Sequence, residues 1–589
     1  MLLLLLACSD YELSPDVDVQ EGEVSCDDWP QPADYAVDAD SECLADPDVG
    51  NFEPIVEWRW SGHPDHASFT NVVSTPVVGN LHDDDGDGVL GEGDQPDLIF
   101  VAFYDKKQKE EGVLFAVTGD GQGTHWARTA DIFGNAGLAL GDLNGDGFPE
   151  VCASSMTHSV VCLNQFGQEL WRAGEEPAFN GHPAIADLDA DGSPEVIYGR
   201  EAFRADGTLM WRGSGGLGGR GTNTHASIPV DLDGDGQLEV VAGNTVYDTD
   251  GSVVWDDGGE DGYPAIGNFD DDDAPEIVRV SYGQLILSDT DGSTIWTTVI
   301  DEEGSRGGPP TVADFDGDGQ AEVGVAGFST YTVIDTDGTV LWVAPTEDDS
   351  SSVTGSSVFD FEGDGQAEVV YADEETLWIY DGATGAVLLE MNEHASNTRL
   401  EYPVIADLDG DGATEIILGS ANAWWEGWNG ITVIGDADDS WAPARPIWNQ
   451  HAYSITNVDA YGGIPSEAKP NWLTWNNFRA AGTELGPSHW LPDLVPGEIE
   501  VCTETCWGGS VSAWLPVENR GLVTATDVTV ELGGQRLELG DIAAGEVAFA
   551  GPVELTEDQW VLGARLDPNN DLNECREDNG ADLGPWPCD

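Results

Sequence analysis

Short apolar runs alternate with acidic loops along most of the chain from residue 55 onward. Residues 55–60 alternate as a strand does, and runs such as 239–243 are rich in β-branched residues, which favour strands. A second short strand such as Thr245–Tyr247 follows each run, and then an Asp-Gly turn and a third strand that ends in tryptophan, as in 250–255. A strand such as Tyr263–Gly267 leads into the next acidic loop. The pattern therefore predicts four short strands in each repeat.

Repeated groups of four short strands are the sequence signature of a β-propeller. We predict an all-β fold with a propeller over residues 55–440. Eight blades fit the repeats best, and seven blades plus one atypical unit are the alternative. The strand at 55–60 would complete the last blade and close the ring, which removes free sheet edges. The residues expected to pack between blades are Trp126, Trp171, Trp211, Trp255, Trp296 and Trp342, with Leu389 in the next unit.

The acidic loops share one frame of nine residues, seen best in Asp231-Leu-Asp-Gly-Asp-Gly-Gln-Leu-Glu239. Carboxylates occupy positions 1, 3, 5 and 9, and glycine at position 6 permits a left-handed turn. A hard cation such as Ca²⁺ binds several oxygen ligands of this kind. Solvated acidic turns are the alternative, but they do not explain why alternation, glycine and spacing occur together. The frame begins at Asp142, Asp187, Asp231, Asn268, Asp314, Asp360 and Asp407.

An irregular copy of the frame begins at Asn80 and reaches position 9 only at Asp97. Its insert, residues 83–94, fits an EF-hand-like loop. Asp83, Asp85 and Asp87 fall at positions 1, 3 and 5 of that loop, and Asp94 falls at position 12. Aspartate stands where a bidentate glutamate is usual, so we expect weaker calcium binding here.

The repeats resemble FG-GAP/VCBS repeats, the type that builds the integrin α-chain propeller and binds Ca²⁺ in its loops. The resemblance covers about residues 55–440. It implies calcium ligands at Asp142, Asn144, Asp146 and Glu150; Asp187, Asp189, Asp191 and Glu195; Asp231, Asp233, Asp235 and Glu239; Asp314, Asp316, Asp318 and Glu322; Asp360, Glu362, Asp364 and Glu368; and Asp407, Asp409, Asp411 and Glu415. Position 9 is glutamate here and aspartate in integrins.

The loop at Asn268 departs most from the frame. Its candidate ligands are Asn268, Asp270, Asp272 and Glu276, and Asp273 stands where the other loops have glycine. A left-handed non-glycine residue costs about 1 kcal/mol, and less for aspartate than for most residues. We therefore predict that this loop is the weakest calcium site.

Composition narrows the possible functions. The chain has 112 acidic residues and 20 Lys+Arg, a formal net charge of −92. Such a charge opposes compaction unless cations neutralise it, and it excludes nucleic acid as a partner. Disorder is not expected, because the chain is 40% apolar and contains 22 Trp.

The first residues, Met-Leu-Leu-Leu-Leu-Leu-Ala-Cys, resemble a bacterial lipoprotein signal (residues 1–8) with Cys8 as the lipidated residue. The signal lacks a basic region and is short, so an arbitrary apolar terminus or missing upstream residues are the alternatives. Residues 9–54 are predicted to be an acidic linker. We expect an exported protein, either secreted or anchored at the bacterial outer membrane or cell surface, with membrane contact only through the lipid.

Eight further cysteines favour an oxidising compartment. They are Cys26, Cys43, Cys152, Cys162, Cys502, Cys506, Cys575 and Cys588. Local pairing is expected for the first four, and the last four allow three connectivities.

Two segments follow the repeats. Residues 441–490, rich in Trp and Asn, are interpreted as a cap on the propeller, and a carbohydrate-binding platform is the alternative. His451 is expected to be buried and hydrogen-bonded rather than catalytic. Residues 491–589 are predicted to be a small β-sandwich. Residues 567–579 resemble the C-terminal signature of CARDB domains, which implies an immunoglobulin-like module.

These features favour a calcium-binding, surface-anchored adhesion or ligand-binding protein with structural Ca²⁺ and no catalytic residues. Its partner would be an extracellular protein or a glycan, and its oligomeric state is open. A polysaccharide lyase or hydrolase on the same scaffold, or a lectin, is the alternative.

Overall fold

A computed structural model describes residues 52–482 and 491–588 with short gaps (92, 271, 301–305, 349, 352, 400, 569–571, 573 and 576–579), and Val37 before them. The described chain is all-β, as predicted, with a few short helices. The helices are Pro64–His66, Gly221–Asn223, Ile455–Asn457, Asn471–Leu473, Thr503–Gly508 and Glu557–Trp560. Among these described helices, none has the length and apolar character needed to cross a membrane. The predictions for Cys8, Cys26, Cys43 and the acidic linker up to residue 51 lie outside the described residues.

The described residues divide into two compact units, a larger one within residues 46–489 and a smaller one within residues 490–589. In the described part of the larger unit, eight four-stranded antiparallel sheets follow one another. Sheet 1 contains Val77–Gly79, Asp97–Ala102, Val113–Thr118 and Thr124–Arg128. Sheet 2 contains Leu138–Gly141, Glu150–Ser154, Val160–Leu163 and Glu169–Ala173. Sheet 3 contains Ala184–Ala186, Glu195–Tyr198, Glu201–Phe203 and Leu209–Arg212. Sheet 4 contains Ile228–Val230, Glu239–Ala242, Thr245–Tyr247 and Val253–Asp256.

The next four sheets repeat the pattern. Sheet 5 contains Tyr263–Gly267, Glu276–Ser281, Gln284–Ser288 and Thr294–Val299. Sheet 6 contains Thr311–Ala313, Glu322–Ala326, Thr330–Ile334 and Val340–Pro345. Sheet 7 contains Ser356–Phe359, Glu368–Ala372, Leu377–Tyr380 and Val387–Met391. Sheet 8 contains Val404–Ala406, Glu415–Ser420, Gly430–Asp436 and Pro54–Trp60. A short parallel pair, Asn180–Gly181 with Thr224–His225, lies outside these sheets.

The sheets share one order of connections. The acidic loop joins the first strand to the second in every sheet, and in sheets 1 to 7 an Asp-Gly or similar turn joins the third strand to the fourth. The second strand of sheet 5, Glu276–Ser281, is buried throughout, whereas the fourth, Thr294–Val299, is mostly exposed. A strand covered on both faces is rich in apolar residues, and here Ile277, Val278 and Val280 are buried. In sheet 2 a disulfide joins Cys152 and Cys162, which are paired across two neighbouring strands.

The tryptophans of the fourth strands lie between sheets, as predicted. The indole N–H of Trp255 in sheet 4 donates to the carbonyl of Thr290 in the last turn of sheet 5, at 2.8 Å. A Cβ on Gly292 of that turn would lie 2.9 Å from the Trp255 ring, so the turn requires glycine. The same bond from one sheet to the next is made by Trp126, Trp171, Trp211, Trp296 and Trp342.

The first described strand pairs with the last sheet. Pro54–Trp60 runs antiparallel to Gly430–Asp436. Trp58 packs on Gly121 in the last turn of sheet 1, where a Cβ would lie 2.6 Å from its ring. Side chains of sheets 1 and 8, such as Phe100 and Ile417, belong to one hydrophobic cluster.

Residues 441–482 form what we call the cap segment, which bonds to the first strands of several sheets. Its bridges pair Trp448 with Val78, Gln450 with Ala139, Phe478 with Val312, and Ala480 with Val358. Trp441, Trp448 and Tyr453 are buried. A buried indole cannot offer its face to a sugar ring, so this part of the segment packs as core and favours the cap interpretation over an aromatic platform.

The smaller unit is built from two four-stranded sheets around one hydrophobic core. The first contains Leu494–Pro496, Ser510–Asn519, Glu500–Cys502 and Val547–Thr556. The second contains Gln535–Ile542, Ala525–Leu532, Ala564–Leu566 and Gly580–Ala581. A disulfide joins Cys506 and Cys588, and Cys502 and Cys575 are also disulfide-bonded.

Candidate cation loops and a basic pocket

The loop that begins at Asp314 shows the geometry of the acidic frame. Carboxylate oxygens of Asp314, Asp316, Asp318 and Glu322 all lie within 4.8 Å of one another. The Asp314 carboxylate accepts the N–H of Gly317 at 2.7 Å and that of Gly319 at 2.8 Å. The loop backbone therefore curls around the carboxylate at position 1 and holds it in place.

Glutamate at position 9 is the buried end of the loop. Glu322 begins the second strand of sheet 6, is 1% exposed, and accepts the N–H of Phe315 at 2.8 Å. Burial, and then the neighbouring carboxylates Asp316 and Asp314, raise the pKa of Glu322 to about 8, although the Phe315 hydrogen bond opposes the shift. The protein therefore does not balance the negative charge of these crowded carboxylates, and a bound divalent cation would balance it.

The same arrangement recurs in the other loops. For the same reasons the pKa is raised to about 7 at Glu150, Glu195, Glu239 and Glu276, to about 9 at Glu368, and well above its usual range at Glu415. Each of these glutamates accepts the N–H of the residue at position 2 of its loop, namely Leu143, Leu188, Leu232, Phe269, Phe361 and Leu408.

Further ligand clusters match the predicted sets in part. Asp187, Asp189 and Glu195 form one group, and Asp231, Asp233 and Glu239 form another. Oδ1 of Asp189 is buried and has no hydrogen-bond partner in the protein. Oxygen donors that converge on one point and include a buried unpartnered oxygen fit a hard cation such as Ca²⁺. At position 3 of the first regular loop, the Asn144 amide instead donates to Glu150 at 2.8 Å.

The other carboxylates at positions 5 and 1 accept hydrogen bonds from the backbone of their own loops. Those at position 5 accept the N–H two residues ahead, as in Asp146, Asp191, Asp235, Asp364 and Asp411. Asp360 accepts from Asp364 and Gly365, and Asp407 accepts from Gly410. Glu362 and Asp409 are the position-3 carboxylates of these last two loops, and burial raises the pKa of each.

The loop at Asn268 differs from its prediction. Asp273 does not adopt a left-handed conformation, so the expected backbone cost does not arise there. The cap segment holds this loop instead, because Trp472 Nε1–H donates to the Asp273 carbonyl at 3.0 Å. The Asn268 side chain donates to the Asp272 carbonyl at 2.6 Å, which turns its amide N–H into the loop. Asp270 and Asp272 each accept a backbone N–H two residues ahead.

The irregular first loop has the same hydrogen bond between its second residue and its last residue as the regular loops. Asp97 accepts the N–H of Leu81 at 3.0 Å, which is the bond that glutamate makes in the regular loops. Two histidines, His82 and His125, contact the same carboxylate. Sequence reasoning missed both, although His82 stands at position 3 of the frame.

The EF-hand-like insert is curled around its first carboxylate. Asp83 accepts N–H groups from Gly86, Asp87 and Gly88 at 2.6, 3.1 and 2.9 Å. Asp83, Asp85 and Asp94 offer oxygens within 4.8 Å of one another. Asp87 accepts the N–H of Val89 at 2.9 Å.

A second candidate site, which we call the basic pocket, was not predicted. It is lined by the cationic residues Lys109, Arg220, Arg306 and Arg399, together with Phe179, Asn180, Asn223 and Tyr263, and has a volume of about 210 Å³. Lys109 lies in a hairpin of sheet 1, and the other residues lie in or next to the segments that lead into sheets 3, 4, 5, 6 and 8. The pocket therefore lies where segments from many sheets converge.

The cations of the basic pocket have few direct partners, although the nearby carboxylates of Glu401 and Asp348 attract Arg399. None of the four forms an ion pair with a carboxylate of the described residues. Lys109 lies 3.8 Å over the Phe179 ring, and Arg306 donates to the Ser351 carbonyl at 3.3 Å. Burial, and then the charge of Arg399, lower the pKa of Lys109. Positive groups that lower one another's pKa favour an anion between them.

His451 is buried, as expected, but its ring is only weakly hydrogen-bonded: Nδ1 lies 3.4 Å from Arg479 Nη2, and Nε2 has no hydrogen-bond partner among the described residues. Its ring is buried, 4.2 Å from the His182 ring centroid, and its carbonyl accepts from Tyr402 at 2.8 Å and Arg479 at 3.0 Å. Burial and the nearby His182 and Arg479 hold the pKa of His451 well below its usual range. The histidine is therefore neutral.

Comparison with known proteins supports the repeat type and the fold. Residues 360–418 match the model of the FG-GAP-like repeat family. The biofilm matrix protein Bap1 of V. cholerae has a similar structure, with 22% identity and a TM-score of 0.67 over 74% of this chain and 100% of that chain. Rhamnogalacturonan lyase PL11 of Bacillus licheniformis aligns with 18% identity and a TM-score of 0.47 over 76% of this chain and 84% of that chain. The exotype rhamnogalacturonan lyase YesX aligns with 18% identity and a TM-score of 0.44 over 67% and 75%.

The similarity to Bap1 concerns the fold. A search of curated proteins finds no match.

Proposed function

We propose that this chain is an exported, calcium-stabilised β-propeller protein that binds an anionic saccharide in the basic pocket. The main support for the proposal is the number of cationic side chains in the pocket. Four cationic side chains converge there, in a chain that has only 20 Lys+Arg against 112 acidic residues. A chain of this charge has little reason to concentrate cations unless they recognise an anion.

The chemistry of the pocket fits an acidic sugar. Guanidinium groups such as Arg306 and Arg399 donate to carboxylates with good geometry. The side chains of Asn180 and Asn223 can both donate to and accept from hydroxyl groups. Phe179 and Tyr263 add aromatic surface. The acidic surface elsewhere would repel an anionic ligand, so binding would be confined to this pocket.

A binding assay on the full chain tests this role. Calorimetry with trigalacturonate should show binding that weakens as salt is added, and neutral maltotriose should not bind. Arg399→Gln and Lys109→Gln should each reduce affinity tenfold or more. Arg536→Gln, an exposed arginine of the smaller unit, is the matched control and should bind as the wild type does. Equal binding of the neutral sugar, or unchanged affinity in both pocket variants, would refute the proposal.

Calcium would have a structural role. The clustered oxygens, the unpartnered Asp189 oxygen and the raised glutamate pKa values support cation binding in the loops. A cation bound only by the folded state stabilises it by mass action. Elemental analysis should find several calcium ions per chain, and a chelator should lower the melting temperature strongly. If neither occurs, the loops are solvated acidic turns.

The eight sheets are proposed to form a closed, eight-bladed ring. The pairing of Pro54–Trp60 with sheet 8 and the packing of Trp58 on Gly121 support closure. Trp58→Ala should then lower the melting temperature by several degrees, whereas Trp507→Ala, at a fully exposed tryptophan, should not. An equal effect of both changes would argue for an open arrangement.

The proposal also includes roles for the two ends of the chain. Cys8 would carry a lipid anchor, and the smaller unit would be a CARDB-like, immunoglobulin-like module. The disulfides Cys152–Cys162 and Cys506–Cys588 support export to an oxidising compartment. Mass spectrometry of the mature protein would detect the lipid, and an unmodified N-terminal peptide that contains Cys8 would exclude it.

Polysaccharide lyase activity is the second candidate, and Lys109 favours it. Its lowered pKa beside a cationic group suits a general base. In β-elimination of a uronide, the base removes the C5 proton, the C4–O bond breaks, and a C4=C5 double bond forms as the leaving oxygen takes a proton. Ultraviolet absorbance of unsaturated product from polygalacturonate would reveal the reaction. Absence of product together with binding of trigalacturonate would leave the binding role alone.

A further inference from the structure

His82, Asp97 and His125 meet at the irregular loop of sheet 1. Nδ1 of His82 lies 3.0 Å from Oδ2 of Asp97, and Nε2 of His125 lies 2.7 Å from Oδ1. The two imidazole rings stack with centroids 3.6 Å apart and planes 12° apart. One potential ligand atom from each residue lies within 4.8 Å of the other two.

His125 contacts Asp97 at ion-pair distance, with angles that are poor for a hydrogen bond. Nε2 is buried and lacks a hydrogen-bond partner of acceptable geometry, although Oδ1 is only 2.7 Å away. The three candidate ligand atoms lie close enough together for one ion to contact them all. Two stacked imidazolium ions would repel each other, whereas two neutral rings can direct lone pairs to a shared ion.

Comparison with the other sheets shows that both histidines are specific to this place. Position 3 of the seven regular loops is an oxygen ligand in every case: Asn144, Asp189, Asp233, Asp270, Asp316, Glu362 and Asp409. The residue before the fourth-strand tryptophan is apolar in sheets 2 to 6: Leu170, Met210, Val254, Ile295 and Leu341. Sheet 1 has histidine at both positions, and its position 9 is the shorter aspartate. The three changes occur together and converge on one point.

We propose that His82, Asp97 and His125 bind a divalent transition-metal ion of the Zn²⁺ class. Two imidazole nitrogens and one carboxylate oxygen suit Zn²⁺ and its neighbours, whereas Ca²⁺ prefers an all-oxygen set. Three protein ligands leave a coordination position for water or another group. Both histidine side chains are 19% exposed, so an ion can reach the site from solvent.

The ion would tie together three parts of sheet 1. Asp97 begins the second strand, His125 lies in the fourth strand, and His82 lies in the loop directly before the EF-hand-like insert. The site is thus separate from the basic pocket, and it uses positions 3 and 9 of the irregular first loop, where the regular loops have oxygen ligands.

Metal titration of the full chain tests the proposal. Protein stripped of metal and then saturated with Ca²⁺ should bind one tight equivalent of Zn²⁺ by calorimetry. Co²⁺ should give the visible absorption of a low-symmetry site with nitrogen ligands. The double variant His82→Asp with His125→Leu carries the residues of the regular repeat, as in Asp189 and Leu170, and is therefore expected to fold. It should lose at least 100-fold in Zn²⁺ affinity and lose the Co²⁺ spectrum.

The control is His158→Ala, a half-buried histidine whose ring contacts Thr157. It should keep both the tight equivalent and the spectrum. Zn²⁺ binding that is weak, that Ca²⁺ displaces, or that persists unchanged in the double variant would overturn the proposal. Unchanged melting temperatures in excess Ca²⁺ would show that the variants are folded.

Discussion

The side-chain amide of Asn476 holds the backbone of Asn268 through two hydrogen bonds. Its Oδ1 accepts the Asn268 N–H at 2.8 Å, and its Nδ2–H donates to the Asn268 carbonyl at 2.8 Å. The two residues are 208 positions apart in the chain. The loop that departs most from the acidic frame is therefore anchored by the cap segment, with Trp472 as a further donor.

Removal of the Asn476 amide should destabilise the larger unit. Asn476→Ala leaves an N–H and a carbonyl of Asn268 without their partners, which we expect to cost about 1–3 kcal/mol of unfolding free energy. Denaturant unfolding would measure it. Asn422→Ala is the control, because that exposed amide donates only to the nearby Gly427 carbonyl. Equal stability of the two variants would contradict the anchor.

The loops should differ in calcium affinity. Glu322→Gln keeps an acceptor for the Phe315 N–H but removes one charge, so bound calcium should fall by one ion per chain. Glu276→Gln should leave the calcium count unchanged at submillimolar calcium. Asn268 places an uncharged amide at position 1 of this loop and turns its N–H inward, so we predict that the loop is the weakest site. Elemental analysis after dialysis measures both. Loss of an ion in the Glu276 variant would refute the ranking.

The tryptophans between sheets should contribute through their indole N–H. Trp255→Phe preserves an aromatic ring on Gly292 but leaves the Thr290 carbonyl unpaired, which should cost about 1–3 kcal/mol. Trp507→Phe changes a fully exposed residue and should cost nothing measurable. Chemical denaturation of both proteins in excess calcium provides the comparison. If Trp255→Phe leaves the unfolding free energy unchanged, only the aromatic ring of Trp255 contributes to stability.

Stability should fall at acid pH partly through His394. Burial lowers the pKa of His394 to about 4, although a backbone hydrogen bond at Asp373 opposes the shift. The unfolded chain protonates this histidine near its usual pKa of 6.5, so its contribution is present above that pH and is lost as pH falls toward 4. The loss at pH 5 should be about 2 kcal/mol.

His394→Gln isolates this effect from other titrating groups. The difference in unfolding free energy between pH 8 and pH 5 should be smaller in the variant than in the wild type by about 2 kcal/mol. Gln can still accept or donate at the Ser420 hydroxyl that His394 contacts at 2.9 Å. An identical pH dependence in both proteins would show that His394 titrates normally.

The sequence by itself determined the local features of this protein. Runs such as Glu239–Ala242 and the Asp-Gly turns predict four strands per repeat, because strand and turn preferences act over a few residues. The alternating carboxylates of Asp314, Asp316 and Asp318 predict a curled loop for the same reason. Trp255 was assigned to the space between sheets from its recurrence alone.

Other features depend on contacts between residues that are far apart in the sequence. The place of Asp273 in the frame predicts a left-handed residue, but its backbone is not left-handed, and its carbonyl accepts a hydrogen bond from Trp472 of the cap segment. His125 reaches Asp97 only once the second and fourth strands of sheet 1 are folded, and no local pattern marks that meeting.

The basic pocket is the clearest example of a feature that local sequence does not predict. Lys109, Arg220, Arg306 and Arg399 follow one another at spacings of 111, 86 and 93 residues, and each alone is an ordinary cation in an acidic chain. They become a site because successive sheets bring their connecting segments to one place. Local sequence specifies the repeated sheets, whereas the convergence of charges depends on how those sheets pack together.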